Sequence, residues 1–337
     1  MKLLMTMRRI LSGCAPMLAI MFGAALLLQC AVESFAQPFP SRTIRLVVPW
    51  PPGGFSDIAG RALARGLQQE LGQTVVVENK PGGSSLIGAE FVARSPADGY
   101  TLLMASTTNM SMLPNLVSDL SFDLVKDFTA VSNVAAAGNI LLARTGLQVQ
   151  SVRDVISLAK AQPGKLTYAS GGTGTVGHLV GEQFRFATGA NILHVPFKGA
   201  ALGLTDVMGG RVDLQFPDAI SAAAVLKSDK LRVLAVMTAR RLPQLPQTPT
   251  LGESGLAGFD SYVWNGVVVR AGTPNEIVQQ LSSAIAASLK RADVAAPLTA
   301  PGAQTIGDSP QHFSETIANE RALWARIVQA TGIKLDR

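Results

Sequence analysis

The segment VVPWPPGGFSD, residues 47–57, predicts the fold class of this chain. A β-branched run stops at Pro49, two glycines form a turn, and Ser56 and Asp57 begin a predicted helix. The order strand, glycine turn, helix is typical of α/β proteins with parallel sheets. Such a turn commonly binds an anion, yet this one contains neither lysine nor arginine. The sequence therefore predicts an anion site built from neutral donors.

The same unit recurs from residue 165 onward, which predicts two similar lobes. The first copy has predicted strands at 43–49, 74–79 and 99–106 and a helix at 58–71. The second has predicted strands at 165–170, 191–197 and 211–216 and a helix at 179–189. A repeated order of this kind favours two α/β lobes that face each other across a cleft.

The domain boundaries follow from the segments between and after the two copies. Residues 127–145 are predicted to be extended and to carry the chain across. Two helices follow the second copy, one begun by a capping box at 273–276 and one by Ser309 and Pro310. We expect them to pack back on the first lobe. The predicted domains are 37–139 with 263–337 for lobe 1 and 140–262 for lobe 2.

The first 36 residues have the pattern of a secretory signal peptide. A positively charged start is followed by an apolar run from 10 to 32 and a small-x-small site that ends at Ala36. The run is long enough that an uncleaved membrane anchor is the alternative. Both cysteines, Cys14 and Cys30, lie in this segment. The predicted product is periplasmic, begins at Gln37, and has no disulfide, thiol nucleophile or thiolate metal site.

Composition excludes several classes of function. The chain has 337 residues, 47% of them hydrophobic, and a net charge of +6. Its basic residues are scattered and not interleaved with aromatic ones, which argues against nucleic-acid binding. We expect a monomer with a small organic ligand.

No motif supports an enzyme, a cofactor or a metal. GTGTVG at 172–177 matches a dinucleotide fingerprint, but the position about 20 residues on, where an acidic residue is needed, holds residues 196–198, Pro-Phe-Lys. The three histidines lack metal-site spacing. The remaining catalytic alternative is His178 as a base for Thr173 or Thr175. We therefore predict no cofactor, no metal and no catalytic residue.

Three polar turns at predicted strand ends, residues 53–57, 106–109 and 170–178, form the candidate binding site. Ligands of open α/β sheets bind beyond the carboxyl ends of the strands. Glycine allows close backbone approach, and the first-turn amides of a helix are free donors. The glycines and hydroxyl residues of this predicted carboxylate site are Gly53, Gly54, Ser106, Thr107, Ser170, Thr173 and Thr175.

Several of these polar residues also have a purely structural interpretation. The glycine turn is either a ligand loop or only a tight turn, with Ser56 or Asp57 as an N-cap. Asp218 either orients a donor group or water of the ligand or caps the next segment. Lys80 is predicted to lie outside the cleft, and Lys198 either faces it or braces its loop.

Many segments resemble, in order, the Bug (TctC-type) substrate-binding proteins of tripartite tricarboxylate transporters. They include FPSRTIRLVVPWPPGGFSD (39–57), LGQTVVVENKPGG (71–83), PGKLTYASGGTGTVGHL (163–179), HVPFKGA (194–200) and LTDVMGGRVDLQF (204–216). The resemblance implies a type II-like, two-lobed periplasmic binding protein, each lobe a mainly parallel sheet flanked by helices. It also implies a ligand such as a di- or tricarboxylate, an amino acid or an aromatic carboxylate, and transporter membrane subunits as partners. The alternatives are an exported sensor for a membrane signalling partner and a periplasmic enzyme.

The resemblance implies further site residues and two departures from the family pattern. By this likeness the ligand residues are Gly53, Gly54, Phe55, Asp57, Ser170, Thr173, Gly174 and Thr175, with Ser106, Gly199, Ala200 and Asp218. Trp50 stands where Phe or Tyr is usual. QFPDAI at 215–220 replaces the common MFDNLP, which leaves Asp218 where Asn is commonly seen. The extra carboxylate favours a ligand with an amino group, or one smaller than citrate.

Overall fold

Two β-sheets organise the chain in a computed structural model that describes residues 38–117 and 120–332. The predicted signal peptide and its cleavage site lie outside the described residues. We call the first lobe the six-stranded sheet with the helices packed on it, and the second lobe the five-stranded sheet with its helices. Neither lobe contains a described helix that is both long and apolar enough to cross a membrane.

The six-stranded sheet of the first lobe has the strand order β11-β4-β10-β3-β1-β2. Its strands are β1 (Ile44–Val48), β2 (Val75–Asn79), β3 (Thr101–Ser106), β4 (Phe128–Gly138), β10 (Tyr262–Arg270) and β11 (Gln304–Thr305). β1 runs parallel to β2 and β3, and β10 runs antiparallel to β3 and β4. The parallel strands β1 and β3 therefore end at the same edge, where their polar turns begin.

The five-stranded sheet of the second lobe has the order β7-β6-β8-β5-β9. Its strands are β5 (Ile140–Arg144), β6 (Thr167–Ser170), β7 (Leu193–Pro196), β8 (Leu214–Gln215) and β9 (Leu231–Val236). β6 is parallel to β7 and β8, whereas β5 is antiparallel to β8 and β9. The crossing predicted at 127–145 is present as two strands, because β4 and β5 lie in different sheets and only Asn139 separates them.

Nine described helices flank the sheets. They are α1 (Phe55–Leu71), α2 (Leu86–Ala93), α3 (Val152–Ala161), α4 (Val176–Thr188), α5 (Ala200–Met208), α6 (Ala219–Ala222), α7 (Asn275–Leu289), α8 (Ala292–Thr299) and α9 (Pro310–Thr331). A π-helix, Thr107–Met112, follows β3 directly. The helices after the second lobe return to the first as predicted, since α7 and α8 pack on α1, and α9 packs on β4.

The two-lobed α/β fold is confirmed, with one difference in the sheets. Both are mixed and not mainly parallel. The antiparallel pairs come from the strands next to each crossing, β4, β5 and β10. The chain enters or leaves a lobe through these strands, so they are not joined to their neighbours by the short right-handed strand–helix–strand connections that make strands parallel.

The predicted capping box at Thr273 is wrong, whereas the cap at Ser309 is confirmed. The Thr273 hydroxyl donates 2.7 Å to the carbonyl of Arg270, and α7 begins after Pro274 without a side-chain cap. Ser309 Oγ accepts the amide of His312 at 3.2 Å. Pro274 takes the N-cap position of α7, so Thr273 lies one residue too early to cap it.

Candidate ligand-binding site

A cavity of about 260 Å³ lies between the two sheets, and both lobes form its wall. Its large apolar side chains are Trp50, Pro51, Pro52, Phe55, Val176, Leu202, Phe216, Pro217 and Val263. Its polar side chains are Ser56, Ser106, Thr108, Asn139, Ser170, Thr175, Lys198, Gln215, Asp218, Ser221 and Asn265. A mostly apolar enclosure with a few placed polar groups is the usual form of a small-molecule site.

Three helices begin at this cavity. Phe55, Val176 and Ala200, the first residues of α1, α4 and α5, all line its wall. The first-turn amides of a helix have no acceptor within the helix, and they carry the positive end of its dipole. Three such ends from two lobes produce a region suited to an anion without a cationic side chain.

Eight of the predicted site residues line the cavity and five do not. Those in the wall are Gly54, Phe55, Ser106, Ser170, Thr175, Gly199, Ala200 and Asp218. Those outside it are Gly53, Asp57, Thr107, Thr173 and Gly174. One cavity therefore brings together the three predicted turns: the first-lobe glycine turn, the end of β3 and the second-lobe glycine turn. This agrees with the rule that ligands bind beyond the carboxyl ends of the strands.

Asp57 is held by structural partners behind the cavity wall. It pairs with Arg61 at 3.0 Å, accepts the Asn79 amide at 2.9 Å, and accepts the Gly53 N–H at 3.1 Å. Burial alone raises the pKa of its carboxyl, but these hydrogen bonds outweigh burial and hold the pKa below its usual range. The charged Asp57 thus fixes the shape of the glycine turn.

The other predicted residues outside the wall also have partners within the protein. Thr107 Oγ1 accepts the amide of Trp264 at 3.0 Å, and the Gly174 N–H donates 3.1 Å to Nδ1 of His178. The Thr173 carbonyl accepts the hydroxyl of Ser84, which belongs to the first lobe, at 2.6 Å. This last contact crosses the cleft between the lobes.

A pair of stacked histidines lies under the glycine turn of the second lobe. The ring centroids of His178 and His194 are 4.0 Å apart, and Nε2 of His194 lies 2.6 Å from Ser170 Oγ. Burial lowers the pKa of both imidazoles, that of His194 to about 3. His178 accepts the Gly174 amide, and the Thr175 hydroxyl donates to the Gly172 carbonyl. The pair therefore braces the turn.

Asp218 both caps a helical turn and lines the cavity. Its carboxylate accepts the amide and the hydroxyl of Ser221, each at 2.8 Å. Burial raises the pKa of this carboxyl, and the hydrogen bonds from Ser221 oppose that rise without cancelling it. Ser221 Oγ also accepts the Phe55 N–H at 3.2 Å, so a second contact crosses the cleft.

The two lysines that begin equivalent loops differ in their surroundings. Lys80 forms an ion pair with Glu78 at 2.7 Å, lies over the ring of Phe91, and is absent from the cavity wall. Lys198 lines the cavity and is largely exposed. Among the described residues, Lys198 is the one cation in the wall.

Sequence reasoning missed two amide side chains that line the cavity with an unpartnered atom. Nδ2 of Asn265 in β10 and Oε1 of Gln215 in β8 are buried and form no hydrogen bond with any residue that the structure describes. Asn265 lies within the largely apolar strand β10, and Gln215 is the last residue of the short strand β8, between Leu214 and Phe216. That pattern is the available signal, because a polar side chain inside a buried strand needs a partner.

The two lobes, the cleft between them and the helix N-termini at its cavity are the architecture of a solute-binding protein, and similar solved structures are periplasmic binding proteins. A family model described as tripartite tricarboxylate transporter family receptor (TctC) matches residues 59–333. The chain belongs to this family.

Relatives and solved structures agree with this assignment. BugT of Bordetella pertussis is 34% identical over 301 residues, covering 89% of this chain and 92% of that protein. A solved structure titled R. palustris Rpa4515 with adipate has a TM-score of 0.85 at 36% identity, covering 88% of this chain and 99% of that one. MatC from Rhodopseudomonas palustris with bound malate has a TM-score of 0.82 at 28% identity, covering 86% and 100%.

Proposed function

We propose that this protein captures a small organic carboxylate in the cavity between its lobes and delivers it to the membrane subunits of a tripartite tricarboxylate-type transporter. The observation that carries the proposal is the convergence of α1, α4 and α5 on one apolar-walled cavity. The dicarboxylates named with two similar structures, adipate and malate, support the ligand class.

In the proposed complex, neutral donors hold the carboxylate. The amides beside Gly54 approach from the first lobe, apart from the Phe55 N–H that Ser221 Oγ already accepts. The turn from Ser170 to Thr175 approaches from the second lobe. Asn265 Nδ2 supplies a donor that has no other acceptor. Each hydrogen bond to a charged group contributes about 1.5–3 kcal/mol, so a few such donors replace a cationic side chain.

A thermal-shift screen of residues 37–337 tests the ligand class. A ligand that binds only the folded state raises the melting temperature as its concentration exceeds Kd. The panel contains mono-, di- and tricarboxylates, amino acids and aromatic carboxylates, with the matched diamides as controls. We expect at least one carboxylate to stabilise the protein and its diamide to have no effect. Equal stabilisation by acid and diamide would contradict an anion site.

Delivery is tested separately with the large and small membrane subunits of a tripartite tricarboxylate-type transporter. In vesicles that contain them, uptake of the labelled carboxylate should depend on added binding protein. Uptake that is the same without the protein would contradict the delivery role.

We also propose export with cleavage after Ala36. Intact mass of protein released from the periplasm should correspond to a chain that begins at Gln37. A full-length chain in the membrane fraction would contradict cleavage.

A further inference from the structure

We infer that the ligand carries a hydrogen-bond donor, a hydroxyl or an ammonium group, that pairs with Oε1 of Gln215. The inference rests on the proposed function, because it adds a second recognised group to the bound carboxylate. The ligand class is then a hydroxy- or amino-substituted carboxylate and not a plain dicarboxylate.

The orientation of the Gln215 amide is fixed by the backbone. Its Nε2 donates 3.0 Å to the carbonyl of Ala200, the first residue of α5. A rotated amide would place oxygen against oxygen, so Oε1 must be the atom that faces away from this carbonyl. Gln215 is 1% exposed and lines the cavity.

Oε1 of Gln215 has no partner within the described protein. A buried acceptor without a donor costs free energy, and such a group in a native structure calls for an explanation. Gly203 packs beside the amide, where an added Cβ would lie 3.2 Å from both Nε2 and Oε1. The chain therefore leaves a small acceptor site at the cavity wall, and a donor on the ligand completes it.

The opposite lobe presents the complementary group. Asn265 Oδ1 accepts the Ser56 hydroxyl, which leaves Nδ2 as a buried donor without an acceptor. One lobe thus offers an unpaired donor and the other an unpaired acceptor. A ligand that bears both a carboxylate and a hydroxyl or ammonium group satisfies the two at once, and a plain dicarboxylate leaves Gln215 unpaired.

Matched ligands and one substitution test this inference by calorimetry. The probes are succinate, malate and aspartate, together with adipate, 2-hydroxyadipate and 2-aminoadipate. We expect one donor-bearing acid to bind the native protein at least about tenfold more tightly than its parent, the effect of one well-placed hydrogen bond. A preference for the hydroxy acid identifies a hydroxyl, and a preference for the amino acid identifies an ammonium group.

Gln215→Met removes the acceptor with little change in side-chain volume. It should reduce the preference to less than about threefold. The readout is the ratio of the two affinities, because the loss of the Nε2–Ala200 hydrogen bond affects the binding of both acids alike. Gln69→Met, on the exposed face of α1, is the matched control and should keep the full preference. If Gln215→Met does not fold, the preference of the native protein decides alone.

The outcomes separate this inference from the proposed function. Equal affinity for parent and substituted acids, or a preference that survives Gln215→Met, would overturn the inference and leave the carboxylate site intact. Equal affinity is also the result expected if water occupies the Gln215 site. Failure of every acid to bind would overturn the proposed function and the inference with it.

Discussion

Gly53 and Gly54 are neighbours in the first-lobe turn, but the backbone requires glycine at only one of them. Gly53 has φ +92°, a region that side chains with a Cβ rarely adopt. Gly54 has φ −88° and ψ 174°, an extended conformation open to any residue, and an added Cβ meets no atom within 4 Å. The sequence alone does not show which of the two glycines needs a positive φ. In the structure Gly53 is required by its φ, whereas Gly54 leaves room in the cavity.

Gly54→Val should therefore reduce binding without reducing stability. The valine side chain occupies cavity space beside the amides of α1, and we expect affinity for the best carboxylate to fall more than about tenfold. Gly53→Val is the comparison, and its positive φ should cost about 1–3 kcal/mol of folding free energy. Calorimetry and urea unfolding measure the two effects. Normal binding by Gly54→Val would show that the ligand does not approach this turn.

Asp218 is a second residue whose two roles can be separated. Its cap on α6 needs only a side-chain oxygen, and Asn is as good an N-cap as Asp. Its negative charge in the cavity wall repels a bound carboxylate.

We expect Asp218→Asn to bind plain dicarboxylates such as succinate about tenfold more tightly and to unfold at the same temperature. The gain should shrink toward low pH, because the pKa of Asp218 is raised and the native carboxyl takes up a proton earlier than an ordinary aspartate. Titrations at pH 5 and pH 8 measure it. An affinity that is unchanged at pH 8 would mean that this carboxylate does not face the ligand.

Local sequence signals predicted where most strands lie along the chain. They could not predict which strands pair with each other in the sheets. β1, β2 and β3 lie within two residues of their predicted bounds, since β-branched runs and turn residues define them. α1 begins three residues before the predicted start, because Phe55 is buried in a first turn whose N-cap is Gly54. β10 was not predicted, although its antiparallel pairing places Asn265 at the cavity.

Asn265 and Gln215 were missed as site residues for the same reason, because strand pairing is not visible in the local sequence. Asn265 and Gln215 reach one cavity only because β10 lies beside β3 and β8 lies beside β6. Sheet order depends on long-range pairing, which a single sequence does not encode locally. Trp264, the neighbour of Asn265 in β10, belongs to the core, where it packs edge-to-face on Phe313.

The packing of α9 leads to a prediction about pH. The Trp264 indole N–H donates to Glu320 of α9. Burial raises the pKa of Glu320 to about 7, with the indole hydrogen bond opposing the rise. At pH values between 4.5, the ordinary pKa of glutamate, and about 7, the Glu320 carboxyl is ionised in the unfolded chain but still protonated in the folded one. The Glu320 contribution is therefore fully present below pH 4.5 and is lost as pH rises through 7.

Glu320→Gln should be more stable than the native protein at pH 8 by up to about 3 kcal/mol, at 1.36 kcal/mol per pKa unit, and similar to it at pH 4.5. The histidines of the second lobe titrate in both proteins, so their effect cancels in the difference. Glu315→Gln, on the exposed face of α9, is the matched control. Urea unfolding at several pH values measures the difference in stability between the variant and the native protein. A difference that is independent of pH would contradict a raised pKa of Glu320.

At the scale of the whole molecule, two hydrogen bonds already join the lobes across the cleft. Ser84 Oγ donates to the Thr173 carbonyl at 2.6 Å, and the Phe55 amide donates to Ser221 Oγ at 3.2 Å. The chain passes between the lobes twice, once from β4 to β5 and once on entering β10. Two such crossings are the arrangement of a hinge. The described state is therefore the closed one, and opening it breaks both contacts.

Ser84→Gly should shift the unliganded protein toward the open state. Ser84 has φ 52°, so glycine removes the hydroxyl without backbone strain, and Ser84 is not part of the cavity wall. A neutral hydrogen bond contributes about 0.5–1.5 kcal/mol, and a smaller closed fraction lowers apparent affinity in proportion. We expect binding about two- to tenfold weaker and a larger radius of gyration by small-angle scattering without ligand. With saturating carboxylate, the variant and the native protein should reach the same smaller radius. An unliganded variant with the same radius and the same affinity as the native protein would show that the Ser84 contact does not hold the lobes closed.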